Sequence, residues 1–318
     1  MPSPEEMVKK VITGDKSALA RLISLFEQSS AEIPSLRAAL HSHLRGAHVV
    51  GFTGTPGGGK STLIARLTSI YRESNRRVGV LAVDPTSPIS GGAVLGDRIR
   101  MNEHATDPNV FIRSLATRGD LGGIPRVVKS AKRAMDVAGL DPILIETAGV
   151  GQTELAIMDA VDTVVVVLVP GGGDAIQMLK AGLLEIADIF VVNKSDQPGA
   201  EAVAAELELM LDLGNNSNRE DRPQVVLASA HNGEGMVLVS EAIKQHYQAQ
   251  RKSSRLFDRR KEQRQKEFLE ATYDGLMTYV ESRVTSGAGL SGVLTGVELG
   301  EQDPLKAAFD LLSDMRLV

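Results

Sequence analysis

The run Gly54-Thr55-Pro56-Gly57-Gly58-Gly59-Lys60-Ser61 constrains this chain more than any other segment. It fills every fixed position of G-x-x-x-x-G-K-[ST], the phosphate-binding loop. An apolar, strand-like run precedes it, His48-Val49-Val50-Gly51-Phe52, and a helix-like run from Ser61 to Tyr71 follows. Glycines let successive backbone N–H groups turn toward an anion, and the helix N-terminus adds the positive end of its dipole. Lys60 is expected to reach the β- and γ-phosphates, and Ser61 to ligate Mg²⁺. Gly54, Pro56, Gly57, Gly58, Gly59 and Thr62 are expected to line the nucleotide.

The rest of the 318-residue chain agrees with a fold built around such a loop. Aromatic residues are only 3% of the chain and there is no Trp, so the core is made mainly of Ala, Val, Ile and Leu. That suits a buried parallel sheet. Strand-like runs recur at Val78 to Val83, Val110 to Ile112, Ile143 to Ile145, Thr163 to Val169, Ile189 to Val192 and Val225 to Leu227, mostly with helical stretches between them. The expected class is α/β, a P-loop domain with a mainly parallel central sheet. Three regions are expected: a helical region at 1–45, the P-loop domain at 46–245, and a helical region at 246–318. The stretch from Gly235 to Val284 reads as long and helical, and its basic cluster Arg251 to Arg264 as a solvated helix face. Residues 286–300 are Gly-rich, and Pro304 to Leu317 read as a last amphipathic helix.

Composition excludes several classes. There is no Cys, so disulfides, thiolate metal sites and Cys nucleophiles are ruled out. The formal net charge of −5 speaks against a nucleic-acid partner. No apolar run reaches transmembrane length and the N-terminus does not read as a signal peptide, so a cytoplasmic protein is expected, or a matrix one if a targeting segment was removed. Of the six histidines, His41-Ser42-His43 is the closest pair, and packing explains it better than a metal site, which needs more ligands.

Base and metal recognition are also legible. Asn193-Lys194-Ser195-Asp196 follows a strand and matches N-K-x-D. Asp196 can accept two hydrogen bonds from guanine N1–H and the exocyclic amine, a pair adenine does not offer. The stem of Lys194 can lie along the base. Ser229-Ala230, after the strand Val225 to Leu227, stands where a backbone N–H would meet guanine O6. Asp84 and Glu146 end strands and Asp97 lies in a nearby loop, so all three are candidates for Mg²⁺ and catalysis. Gly149, in Glu146-Thr147-Ala148-Gly149, is placed to sense the γ-phosphate. Gln152 is a candidate for orienting water, but no residue stands out as one, so slow hydrolysis without a partner is expected. The Gly171-Gly172-Gly173 loop carries Asp174, Gln177 and Lys180, candidates for a switch.

These motifs occur together and in order with Asp84-Pro85-Thr86-Ser87, Gly96-Asp97-Arg98-Ile99-Arg100-Met101 and Arg118-Gly119-Asp120-Leu121-Gly122-Gly123. In this the chain resembles the MeaB/ArgK/MMAA family of P-loop GTPases across essentially its whole length. The resemblance implies a G domain between an N-terminal helical region and a C-terminal helical dimerisation arm. It implies GTP/GDP and Mg²⁺ as cofactors, a homodimer, and a role as chaperone to an adenosylcobalamin-dependent acyl-CoA mutase of the methylmalonyl-CoA type. By motif, Lys60, Ser61, Asp84, Asp97 and Glu146 carry over to phosphate, Mg²⁺ and catalysis, and Asp174 to Lys180 to a switch. Ala175 stands where relatives usually have a second acidic residue. The competing readings are a P-loop kinase or ATPase of arginine/ornithine transport, which N-K-x-D opposes, and a nickel-type metallochaperone GTPase, which the lack of Cys opposes.

Overall fold

A computed structural model of the protein describes residues 3–28, 33–84, 102–116, 125–147, 153–171, 182–213, 222–285 and 290–314. The described chain divides into two compact units, residues 1–259 and 260–318.

The first unit opens with three helices, α1 (Pro4–Ile12), α2 (Lys16–Glu27) and α3 (Ile33–His41). Ser3 and Glu6 form a capping box at α1, and the Asp15 carboxylate accepts from the Ser17 and Ala18 N–H groups at α2. Each cap satisfies N–H groups that a helix cannot satisfy itself. Then come β1 (Val49–Gly54), α4 (Lys60–Glu73), β2 (Val78–Asp84), β3 (Val110–Ala116), α5 (Arg126–Val137), β4 (Ile143–Thr147), β5 (Thr163–Leu168), β6 (Ile189–Val192), α6 (Ala200–Leu213), β7 (Gln224–Leu227) and α7 (Met236–Lys252). The sheet has the order β3-β2-β4-β1-β5-β6-β7, and every pair is parallel. β1 lies at its centre, so the loop after it is held between β4 and β5.

The strands alternate strictly between two cores. Val164, Val166 and Leu168 of β5 join Ile143 and Ile145 of β4 on the face covered by α2, α3 and α5. Val165 and Val167 join Val50, Phe52 and Leu144 on the face covered by α4 and α7. Both faces are dry, which is why these strands read as continuous apolar runs.

β3 is longer than its apolar signal Val110 to Ile112, because Arg113 and Ser114 break the pattern. As an edge strand it tolerates them: Arg113 pairs with Glu27 and donates to Ser24 Oγ, so α2 covers the edge. Three carboxylates hold the entry into β1, with Asp141 and Asp162 accepting from the His48 and Val49 N–H groups. Asp136 of α5 accepts from the N–H groups of Arg45, Gly46 and Ala47 at 2.9, 3.2 and 2.8 Å.

At the strand starts, opposite the phosphate loop, a polar chain crosses the base of the sheet. His48 Nε2 and His246 Nδ1 each lie 2.9 Å from Thr163 Oγ. His246 Nε2 is 3.3 Å from Asp188 Oδ1, and Arg259 Nη1 is 2.8 Å from Asp188 Oδ2. His246 Nε2 also lies 2.9 Å from Gln250 Nε2, so that carboxamide shares the nitrogen with Asp188. Thr163 Oγ sits between the two imidazole rings and can donate to one while it accepts from the other. Tyr247 stacks on the His48 ring at 3.9 Å.

Burial lowers the His48 pKa to about 4, against the smaller raising effects of Asp162 and Asp141. Its folded pKa lies below the unfolded value of about 6.5, so the unfolded chain binds the extra proton between these limits. Stability is therefore expected to fall as pH drops from about 6.5 to 4, by up to about 3 kcal/mol. The depressed Asp188 acts in a lower window, below its unfolded value of 3.8. Denaturant midpoints across pH 4–7 for the wild type and for His48→Gln check this. A variant slope as steep as the wild type's would remove His48 as the cause.

α8 (Arg255–Thr285) begins in the first unit and runs into the second, which adds α9 (Leu290–Glu298) and α10 (Pro304–Asp314). Leu269, Tyr273 and Met277 recur every fourth residue of α8 and are exposed, as are Phe268, Leu299, Leu305 and Phe309.

Candidate nucleotide site

The site lies beyond the carboxyl ends of β1, β4, β6 and β7, where a parallel sheet leaves a crevice. The loop after β1 needs its glycines. Gly54, Gly57 and Gly59 have φ of +126°, +70° and +86°. A Cβ on Gly54 would come 2.1 Å from Val167 O, and one on Gly59 would come 2.5 Å from Asn193 Nδ2. A Cβ on Gly57 would enter open space, so the left-handed backbone, not crowding, calls for glycine there. Gly59 caps α4 with no side-chain bond, leaving the helix N-terminus to a ligand.

Lys60 is buried and its Nζ donates to Gly54 O at 2.9 Å and Thr55 O at 3.1 Å. An ammonium so placed curls over its own loop. Ser61 Oγ donates to Glu146 Oε1 at 2.7 Å across the gap between α4 and β4, and both residues are buried. A hydroxyl and a carboxylate side by side are hard oxygen donors, the set Mg²⁺ prefers, so these residues fit that ion. Pro56 and Thr62 lie on the loop and the first turn of α4.

Asn193 connects this half of the site to the other. Its Nδ2 donates to Gly58 O at 2.8 Å, and its Oδ1 accepts from Ala230 N–H at 3.0 Å. Asp196 is exposed, and Ser229 Oγ donates to its Oδ1 at 2.5 Å. That hydrogen bond, the largest effect, holds the Asp196 carboxyl below the ordinary carboxylate range. Asp196 is thus an acceptor at neutral pH. Lys194 has φ +59°, a left-handed turn that directs the chain back toward β7, where Ser195 N–H donates to Ala228 O.

The structure thus gathers Gly54, Gly57, Gly58, Gly59, Lys60, Ser61, Glu146, Asn193, Asp196, Ser229 and Ala230 into one connected arrangement. Asp84 ends β2, in register with Ala116. Asp97, Gly149, Gln152, Asp174, Gln177 and Lys180 lie outside the described residues. Two features escaped sequence reasoning. Asn193 ties the loops together in addition to belonging to the base motif. Arg66, on α4, donates from Nε to Ala230 O at 3.2 Å and from Nη2 to His231 O at 3.1 Å. An exposed arginine beyond the motif has no sequence signal that would single it out.

A parallel sheet with a glycine loop at its centre, a buried lysine on that loop and N-K-x-D at the next crevice defines a P-loop GTPase of the G-domain class. The model of the methylmalonyl-CoA mutase-associated GTPase MeaB family matches residues 19–285, and the chain belongs to this family. A Pyrococcus abyssi protein is 42% identical over 313 residues, covering 98% of this chain and 96% of the relative. GTPase ArgK of Escherichia coli is 33% identical over 265 residues, 81% of this chain and 80% of the relative. Among solved structures, that of a LAO/AO transport system kinase superposes with a TM-score of 0.71 at 23% identity, covering 98% of this chain and 97% of that one. At that identity the likeness concerns the fold.

Proposed function

We propose that the protein binds and slowly hydrolyses GTP with Mg²⁺ and uses that cycle as chaperone to an adenosylcobalamin-dependent acyl-CoA mutase, gating cofactor loading and protecting the enzyme. The observation that carries the nucleotide part is the single hydrogen-bonded path from Gly58 O through Asn193 to Ala230, which joins phosphate site to base site. The family description, mutase-associated GTPase, supports the client.

In this reading the backbone N–H groups around Gly57 to Ser61 receive the β-phosphate, and Lys60 exchanges the Gly54 and Thr55 carbonyls for β- and γ-phosphate oxygens. Mg²⁺, when bound, offsets charge on those oxygens. Ser61 and Glu146 would hold it, with Asp84 and Asp97 as further candidates. Asp196 and the Ser229–Ala230 turn select guanine. Gly149 and the loop with Asp174, Gln177 and Lys180 report the γ-phosphate to the partner. The apolar stripe Leu269, Tyr273 and Met277 supports a homodimer through the C-terminal helices. Among the described residues no helix is long and apolar enough to cross a membrane.

Steady-state phosphate release from GTP and from ATP, with and without methylmalonyl-CoA mutase at equal concentration, tests the proposal. Slow, GTP-selective release that rises about tenfold or more with the mutase is expected, within the range partners add to slow GTPases. ATP turnover would favour a kinase reading. GTP turnover indifferent to the mutase would remove the chaperone role.

A further inference from the structure

We infer that Arg66 is a positioning residue for guanine: its guanidinium aims the Ala230–His231 peptide so that a backbone N–H of this turn meets O6. The inference rests on the proposed base site. Hydrogen bonds from several sides hold the turn after β7. Ser229 Oγ is committed to Asp196 and Ala230 N–H to Asn193. Ser229 N–H donates to Glu234 O. Ser229 O accepts from Gly233 N–H at 2.8 Å. From α4 the hold is Arg66, whose fork takes two consecutive carbonyls, those of Ala230 and His231.

A trans peptide is planar, with its N–H and C=O pointing in opposite directions. Fixing the Ala230 carbonyl toward α4 therefore turns the His231 N–H away from α4, and fixing the His231 carbonyl does the same for Asn232. With Ala230 N–H already donated to Asn193, His231 N–H is the next donor along the turn. The reading N–H would then lie one residue beyond Ala230, on the same turn. Arg66 stands on the same helix as Lys60 and Ser61, so the helix that meets the phosphates also sets the angle of the base reader. A planar fork suits two adjacent carbonyls, whereas a lysine would take one at a time.

The test compares GDP, 6-thio-GDP and ADP binding to the full chain as wild type, Arg66→Met and Arg66→Lys, with a thermal melt of each. 6-Thio-GDP keeps N1–H and the amine that face Asp196 but replaces O6 with a poor acceptor. Arg66→Met is expected to weaken GDP about tenfold and 6-thio-GDP about twofold or less, as for a charge-assisted pair lost beside one specific contact. Arg66→Lys is expected to recover part of the GDP affinity. Equal losses on both guanine nucleotides, or none on either, would overturn the role of Arg66 while leaving guanine selectivity intact. A wild type that binds ADP as tightly as GDP would overturn the base site itself, and the inference with it.

Discussion

Asp196→Asn is expected to cut GDP affinity by about 10²- to 10³-fold and to raise affinity for the xanthine nucleotide, because a site built to hydrogen-bond a group rejects the analogue that lacks it. The Asp196 carboxylate is an acceptor-only group, kept ionised by the Ser229 hydroxyl. Two acceptors match the N1–H and amine of guanine. Asparagine offers one acceptor and one donor, which repels the amine and matches the N1–H and O2 of xanthine. Ser229 can still donate to the asparagine oxygen, and the side chain is exposed, so the fold should be unaffected. Titrations with GDP and XDP on the same preparations decide the matter. GDP affinity within threefold of wild type, as an order of magnitude for a contact that does not count, would sink the assignment of Asp196 to the base.

Asp188→Ala is expected to destabilise the first unit by about 3–5 kcal/mol, the range for breaking a largely buried ion pair on one side. The carboxylate accepts from Val164 N–H at 2.7 Å and from Arg259 at 2.8 and 3.3 Å, and it faces His246. Its side chain is only 15% exposed. At the base of β5, alanine would leave the Val164 N–H without this acceptor and the Arg259 guanidinium without its carboxylate, though Nη1 keeps the Asp162 carbonyl. Asp188→Asn keeps an acceptor for Val164 and removes the charge, so its loss should be smaller. Urea unfolding of both variants followed by far-UV circular dichroism gives the comparison. A loss below about 1 kcal/mol for alanine, the worth of an exposed pair, would mean that water replaces the carboxylate and that the cluster does not bear on stability. Neither variant touches the phosphate loop, so nucleotide affinity at a temperature where both are folded should match wild type.

Much of the fold is local enough to read from residue order. Thr163 to Leu168 alternates between the two cores one residue at a time, and β1 does the same with Val50 and Phe52 on one side. Such runs declare strands because the period of two survives even when both faces are buried. The loop Gly54 to Ser61 is legible because its φ values above zero demand glycine at fixed spacing. Elsewhere the local signal misleads. The Gly-rich stretch 286–300 contains the helix Leu290–Glu298, where Gly292 and Gly296 are tolerated as isolated interior glycines. Arg113 hides the second half of β3, since a charged residue in a strand is acceptable only on an edge that a helix covers.

The sequence by itself determined the class of the protein, the phosphate loop and the guanine motif, because each depends on residue types at short, fixed spacing. The tertiary structure alone decided the strand order that brings β1 between β4 and β5, and with it the meeting of Ser61 and Glu146, which are 85 residues apart in the chain. It likewise decided that Asn193 clasps the phosphate loop, that Arg66 holds the turn after β7, and that His48, Thr163, His246, Asp188 and Arg259 form one chain under the sheet. Each of these joins groups far apart in sequence. Their partners are chosen by which backbone carbonyls and side chains the packed sheet leaves within hydrogen-bond reach, and burial makes each such match matter more than its residue type reveals.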